Sequence, residues 1–115
     1  MPPQQKPLPD DASVVRGGLN SPEAIRNGYA THPAGVTGVS VHSAGGASVP
    51  DLATGIPNGQ VGVTTVGQVR AAGGDVIPTP GRSPHHATLT GLTPEEMSRL
   101  LTPVTPNPAH KTESG

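Results

Sequence analysis

The sequence predicts a small α+β domain with a short-stranded mixed or antiparallel sheet and short helices, flanked by loose Pro-rich ends. Three observations predict it. Short β-branched runs alternate with helix-start signatures; glycines and prolines separate them at short intervals; and 115 residues suit one domain with one modest core. The core has to be built without large rings. There is no Phe, Trp or Cys and only Tyr29 is aromatic, so burial falls to Val, Leu, Ile and Ala. The 16 glycines and 15 prolines put the composition at the border of aperiodic disorder. A net charge of −1 supplies no self-repulsion to keep the chain open.

Residues 1–11 read as a flexible arm, because Pro2, Pro3, Pro7 and Pro9 fix extended backbone and remove donors. The domain is expected over residues 12–102. Ser13 to Arg16 is a first strand, ended by Gly17-Gly18. Ser21-Pro22-Glu23 supplies a cap, a proline where its missing N–H costs nothing, and an acid at the positive helix end. Ile25 and Tyr29 then share one face of a two-turn helix that Gly28 and Pro33 keep short. Gly35 to His42 is the next strand, with Val39 and Val41 on one face and Ser40 and His42 on the other. Ser48 opens another helix, with Asp51 three residues on and Gly55 as its stop.

Gln60 to Pro80 is the most continuous stretch, reading as strand, helix and strand. Val61 and Val63 alternate with Gly62 and Thr64; Thr65 caps a helix whose apolar side is Val66, Val69 and Ala72; Gly73-Gly74 stops it; Val76 and Ile77 resume extended backbone. His86 to Leu92 alternates Ala87, Leu89 and Gly91 against Thr88 and Thr90 as a further strand. Thr93, Pro94, Glu95 and Glu96 make the clearest helix start, followed by a stripe of Met97, Leu100 and Leu101. Pro103, Pro106 and Pro108 end regular structure, and residues 103–115 read as a flexible tail.

Several function classes are disfavoured. Without cysteine there are no disulfides, thiolate metal sites or cysteine nucleophile. No apolar run reaches a membrane span, and MPPQQKPLPDD has no apolar export segment, so a cytoplasmic protein without membrane attachment is expected. Balanced charge and scarce aromatics argue against nucleic acid. His32, His42, His85, His86 and His110 show no helical i, i+4 pair, and adjacent strand residues face apart, so no metal is expected. Glu95-Glu96 suits the helix N-terminus better than an acid/base pair. Ser40, His42 and Ser43 place nucleophile and base types close together, without a G-x-S-x-G elbow. The Gly-Gly pairs fit no phosphate-binding frame and read as turns.

The order VVRGG, helix, GVSVHS resembles the opening of ADP-ribosyltransferase-like domains, including small bacterial toxins of that type. The resemblance covers about the first forty residues. It implies that Arg16 anchors a nicotinamide dinucleotide and that Ser40 or Ser43 of the second strand lies at the nicotinamide; cofactor-binding residues would then be Arg16, Ser40 and Ser43, with NAD as cofactor. A planar guanidinium offers phosphate the bidentate contact such a role requires. That family's late-strand E-x-E pattern does not occur in this chain, and catalytic residues are left unassigned.

The leading expectation is a small intracellular bacterial interaction module, of toxin, antitoxin or effector type, acting by binding a protein partner or itself and needing no cofactor. Docking by strand addition is expected at an edge such as Val61 to Val63 or Ala87 to Leu89. The alternative is an enzyme that transfers ADP-ribose from NAD to a macromolecule. A third reading is a structural subunit of a larger assembly.

Overall fold

The computed structural model of this chain describes residues 8–31, 35–79, 81 and 85–108. In chain order its elements are β1 (Ser13–Gly17), α1 (Pro22–Gly28), β2 (Ala30–Thr31), β3 (Thr37–Ser43), α2 (Val49–Ala53), β4 (Gln60–Thr65), α3 (Val66–Ala71), β5 (Asp75–Pro78), β6 (His86–Thr90), α4 (Pro94–Leu100) and β7 (Thr105–Pro106). The strands form one curled antiparallel sheet in the order β5-β6-β3-β1-β4-β7, with β2 pairing the N-terminal part of β3. The fold is α+β, as the local patterns predict.

Each helix begins where a side chain satisfies an otherwise orphaned amide. Ser21, Ser48, Thr65 and Thr93 accept from the backbone N–H three residues on, at 3.1 to 3.2 Å. At Thr93 the arrangement is reciprocal, because the Glu96 carboxylate accepts the Thr93 N–H at 2.9 Å. Gly73, with φ 104°, takes the left-handed turn that stops α3.

Register sorts the side chains onto two faces, since directly paired residues of neighbouring strands share a face. Val14, Val39, Val41, Val76, Ala87 and Leu89 face one way, and Ile25, Val66, Val69, Met97 and Leu101 from α1, α3 and α4 close over them in the main core. Val15 and Val61 face the other way and pack on Leu52 and Ala53 of α2. That second layer is short. It leaves the part of this face over β3 and β6 without a helix, and there the candidate site lies.

Several expectations are corrected. Ala72 is exposed, so the buried stripe of α3 is Val66 and Val69; six residues of helix turn Ala72 away from the sheet. Val61 is buried but Val63 is 37% exposed, because α2 covers only one end of the β4 face. Tyr29 lies past the end of α1 and is half exposed instead of packing beside Ile25. Ala87 to Leu89 is not an edge: β6 lies between β5 and β3. At β4, β7 occupies the outer side of Gln60 and Val61.

Both ends of the domain reach further than the alternation signals. Leu8 is buried in the main core, and the Asp10 carbonyl accepts the Gly67 amide at 2.8 Å, so the last part of the arm is docked. Residues 105 and 106, expected in a flexible tail, form β7 on β4, where a proline is tolerated at the sheet edge. Residues 1–7 and 109–115 lie outside the described residues.

Two outcomes follow. At Gly62 an added Cβ would press on the Leu101 carbonyl and stand 2.7 Å from Asn20 Nδ2. Gly62→Ala should therefore lower stability by about 1 to 3 kcal/mol in urea unfolding, whereas Gly59→Ala, with open space around it, should stay within about 0.5 kcal/mol of the parent. Hydrogen bonds from the backbone and side chain of Thr93 hold the Glu96 carboxyl below its ordinary value of 4.5. Its contribution is therefore present above that value and is lost as pH falls through the lower folded-state value. Urea midpoints of the parent and Glu96→Gln should differ above pH 4.5 and converge in more acidic solution; parallel profiles would contradict the capping account.

Candidate functional site

The uncovered part of the second face forms an open cavity of about 720 Å³. Its floor is the row Val15, His42 and His86, paired residue to residue across β1, β3 and β6, with Ser40 two positions along β3 from His42. One wall is the loop from Thr54 to Asn58 that follows α2, and Gly81 closes the side above His86.

Two glycines set the shape of the walls. At Gly17 an added Cβ would run into the Asn58 side chain and stand 2.6 Å from Ile56 Cγ2, so only a bare backbone lets the loop settle onto the end of β1. At Gly81 the Cβ would stand 2.7 Å from both Cβ and Cδ2 of His86, so the loop backbone lies directly on the imidazole. The loop wall is held from outside by Asn107, just past β7. Its buried amide donates to the Ile56 carbonyl at 3.2 Å and the Asn58 carbonyl at 3.0 Å, and its backbone N–H to the Gly59 carbonyl at 2.9 Å.

The polar end has defined hydrogen-bond directions. His42 Nδ1 is 2.8 Å from the Leu52 carbonyl, which only accepts, so that nitrogen carries the hydrogen. His86 Nδ1 is 3.2 Å from the Thr79 carbonyl and 2.9 Å from Thr79 Oγ1, and Thr79 Oγ1 is 2.9 Å from Thr88 Oγ1. With the hydrogen on Nδ1 the ring donates to the Thr79 carbonyl, whereas the Thr79 hydroxyl, which both donates and accepts, suits either tautomer. In that Nδ1–H form His86 Nε2, 3.1 Å from Ser40 Oγ, accepts from the serine hydroxyl.

The three residues singled out for dinucleotide binding are not brought together. Ser40 is exposed in the cavity. Arg16 pairs with Gly62, which puts its side chain on the opposite face, against Gly28 and Val39 beneath α1. There Nη1 donates to Asn20 Oδ1 at 2.7 Å, and burial pushes the guanidinium below its ordinary value. Its Nε is enclosed without a hydrogen-bond partner, and among the described residues no carboxylate pairs with it. Asn20, fully buried with φ 57°, fixes this corner: its Nδ2 donates to the Arg16 carbonyl at 3.0 Å and its own carbonyl accepts from Ser98 Oγ at 2.7 Å. Ser43 is buried on the helix-covered side, donating to the Ser13 carbonyl at 2.6 Å.

Among the described residues no three His, Asp or Glu side chains group as metal ligands; His32 and His110 lie outside those residues. Asn58, Gly81, His86 and Asn107 were not singled out by sequence reasoning as parts of one site. Strand pairing and loop docking assemble them, and the local pattern carries neither. No helix among the described residues is long and apolar enough to cross a membrane.

Because Asn107 ties down the cavity wall, Asn107→Ala should cost about 1 to 3 kcal/mol in stability and speed amide exchange at residues 56, 58 and 59 more than in the main core. Uniform acceleration across the domain would mean that Asn107 supports the whole fold and not the wall.

Comparison of this chain with protein-family models, with curated proteins and with solved structures finds no match.

Proposed function

We propose that this protein is a small binding module, of the kind that serves bacterial toxin, antitoxin or effector systems, and that the cavity beside α2 receives a short segment of a partner protein. The observation that supports the reading is the cavity itself. Its volume of about 720 Å³ falls within the range of about 300 to 1,000 Å³ typical of ligand sites. It combines apolar walls from Ile56 and Pro57 with the polar groups of Ser40, His42 and His86. An inserted apolar side chain would meet the walls, and the backbone amides flanking it would meet the polar end. A net charge of −1 favours a partner held by shape and hydrogen bonds over a polyanion.

The ADP-ribosyltransferase reading asks Arg16 and Ser40 to hold one dinucleotide between them. With the guanidinium beneath α1 and the hydroxyl on the opposite face, the binding reading is preferred.

Titration of the labelled full chain with short peptides, each carrying one aliphatic or aromatic side chain, tests the proposal. Amide shifts should be confined to residues 15–17, 40–42 and 54–58, and Ser40→Phe, which places a ring at the exposed floor, should abolish them while the remaining spectrum stays folded. Saturating peptide at about 100 times its dissociation constant should also add about 2.7 kcal/mol of stability. Shifts produced by the oxidised dinucleotide alone, and lost in Arg16→Ala, would put the transferase reading first. No shift at the lining with any peptide would overturn the cavity reading.

A further inference from the structure

We propose that Ser40 is an activated nucleophile with His86 as its general base, and that the cavity accepts esters with an apolar acyl group. This deepens the reading of the cavity as a binding site and rests on it. Three features carry the proposal. Ser40 Oγ is exposed in the cavity and 3.1 Å from His86 Nε2, within reach for transfer of its proton. In the tautomer in which Nδ1–H donates to the Thr79 carbonyl, the Nε2 lone pair is directed at the serine. The ring is held on its other sides: Thr79 Oγ1 stands 2.9 Å from Nδ1 and 2.9 Å from the fully buried Thr88 hydroxyl, and the Gly81 backbone lies on the imidazole. A nucleophile, a base and a group that orients the base are thus in sequence, with a backbone carbonyl in the orienting position. His42, nearer to Ser40 along the chain, does not fill this role, because the hydrogen bond of Ser40 goes to His86.

The chemistry closes with water as the one co-reactant. Ser40 Oγ forms a bond to the ester carbonyl carbon as its proton passes to His86 Nε2. The carbon–alkoxide bond then breaks, the alkoxide takes the proton from His86, and the alcohol leaves an acyl-serine. Water bonds to the acyl carbon as it gives a proton to His86; the acyl carbon–Oγ bond then breaks, Ser40 Oγ takes that proton back, and the acid is released. The net change is ester and water to acid and alcohol. The apolar walls of Ile56 and Pro57 supply the place for the acyl chain.

The test uses the full chain with a fluorophosphonate probe and with p-nitrophenyl butyrate. In the probe reaction serine displaces fluoride from phosphorus. Peptide mapping should place the adduct on Ser40, and Ser40→Ala, at an exposed position, should abolish it. His86→Asn should slow both reactions by about 100-fold or more. His86→Gln serves where His86→Asn loses the fold, and Ser43→Ala should react like the parent, since that hydroxyl is buried on the other face. An adduct at another residue, or unchanged rates in the folded His86 variants, overturns the proposal. Amide shifts with N-methylbutanamide, an unreactive analogue that keeps the butanoyl group of the ester, separate the two readings. Shifts at the cavity without an adduct overturn the nucleophile and leave the binding site standing; neither shifts nor adduct overturns both.

Discussion

A core without aromatic rings depends on close approach. Phe and Trp ordinarily fill the space between a sheet and its helices; here Val, Leu, Ile and Met do so, and the layers must come nearer together. Glycine permits this at chosen points. Gly62 lets the Leu101 carbonyl at the end of α4 settle onto β4, and within the sheet Gly38 of β3 leaves room for the Leu89 carbonyl of the paired strand β6. The composition that resembles a disordered chain is, in these places, what lets small aliphatic residues close the core. β1 feels the constraint most, since Val14 is buried under the helices of one face and Val15 under α2 on the other.

The same two-sidedness generates the site. Three helices cover one face of the sheet, while the five-residue α2 covers the other only around Val15 and Val61. Further along that face the row of paired residues passes from Val15 to His42 and His86, from a dry end to a polar one. The two histidines are fixed by backbone carbonyls of different segments, Leu52 and Thr79, so their orientation is a property of the assembled fold. The C-terminal strand contributes as well, through Asn107, which ties the loop at 56–59 to the sheet edge. Arg16, one residue from Val15, falls on the other face by strand alternation alone.

Local signals were legible and long-range ones were not. Ser21, Ser48, Thr65 and Thr93 could be read as caps because a cap needs only its own helix, and all four helices begin there. The longer strands were legible from β-branched alternation. β2 and β7, two residues each, were missed because they exist only through pairing with β3 and β4. Strand order was equally hidden: β4 and β5 flank α3 in sequence yet lie far apart in the sheet. Of the site, Ser40 and His42 could be picked out as neighbouring polar positions on one strand face. His86 looked like an ordinary loop or strand histidine, since its partners Thr79 and Ser40 are separated from it by 7 and 46 residues. Asn107 carried no local signal at all, lying in a proline-rich run that reads as a tail.

The most direct measurement is the tautomeric state of the two imidazoles, read from long-range proton–nitrogen correlations of the full chain at a pH where both rings are neutral. The account requires the hydrogen on Nδ1 of both His42 and His86, because each faces a carbonyl that can only accept. Both rings in that form, with an unprotonated Nε2 on His86, are the result it predicts. A hydrogen on Nε2 of His86 would mean that the Thr79 carbonyl does not hold the ring and that Ser40 has no base, contradicting the site as built here.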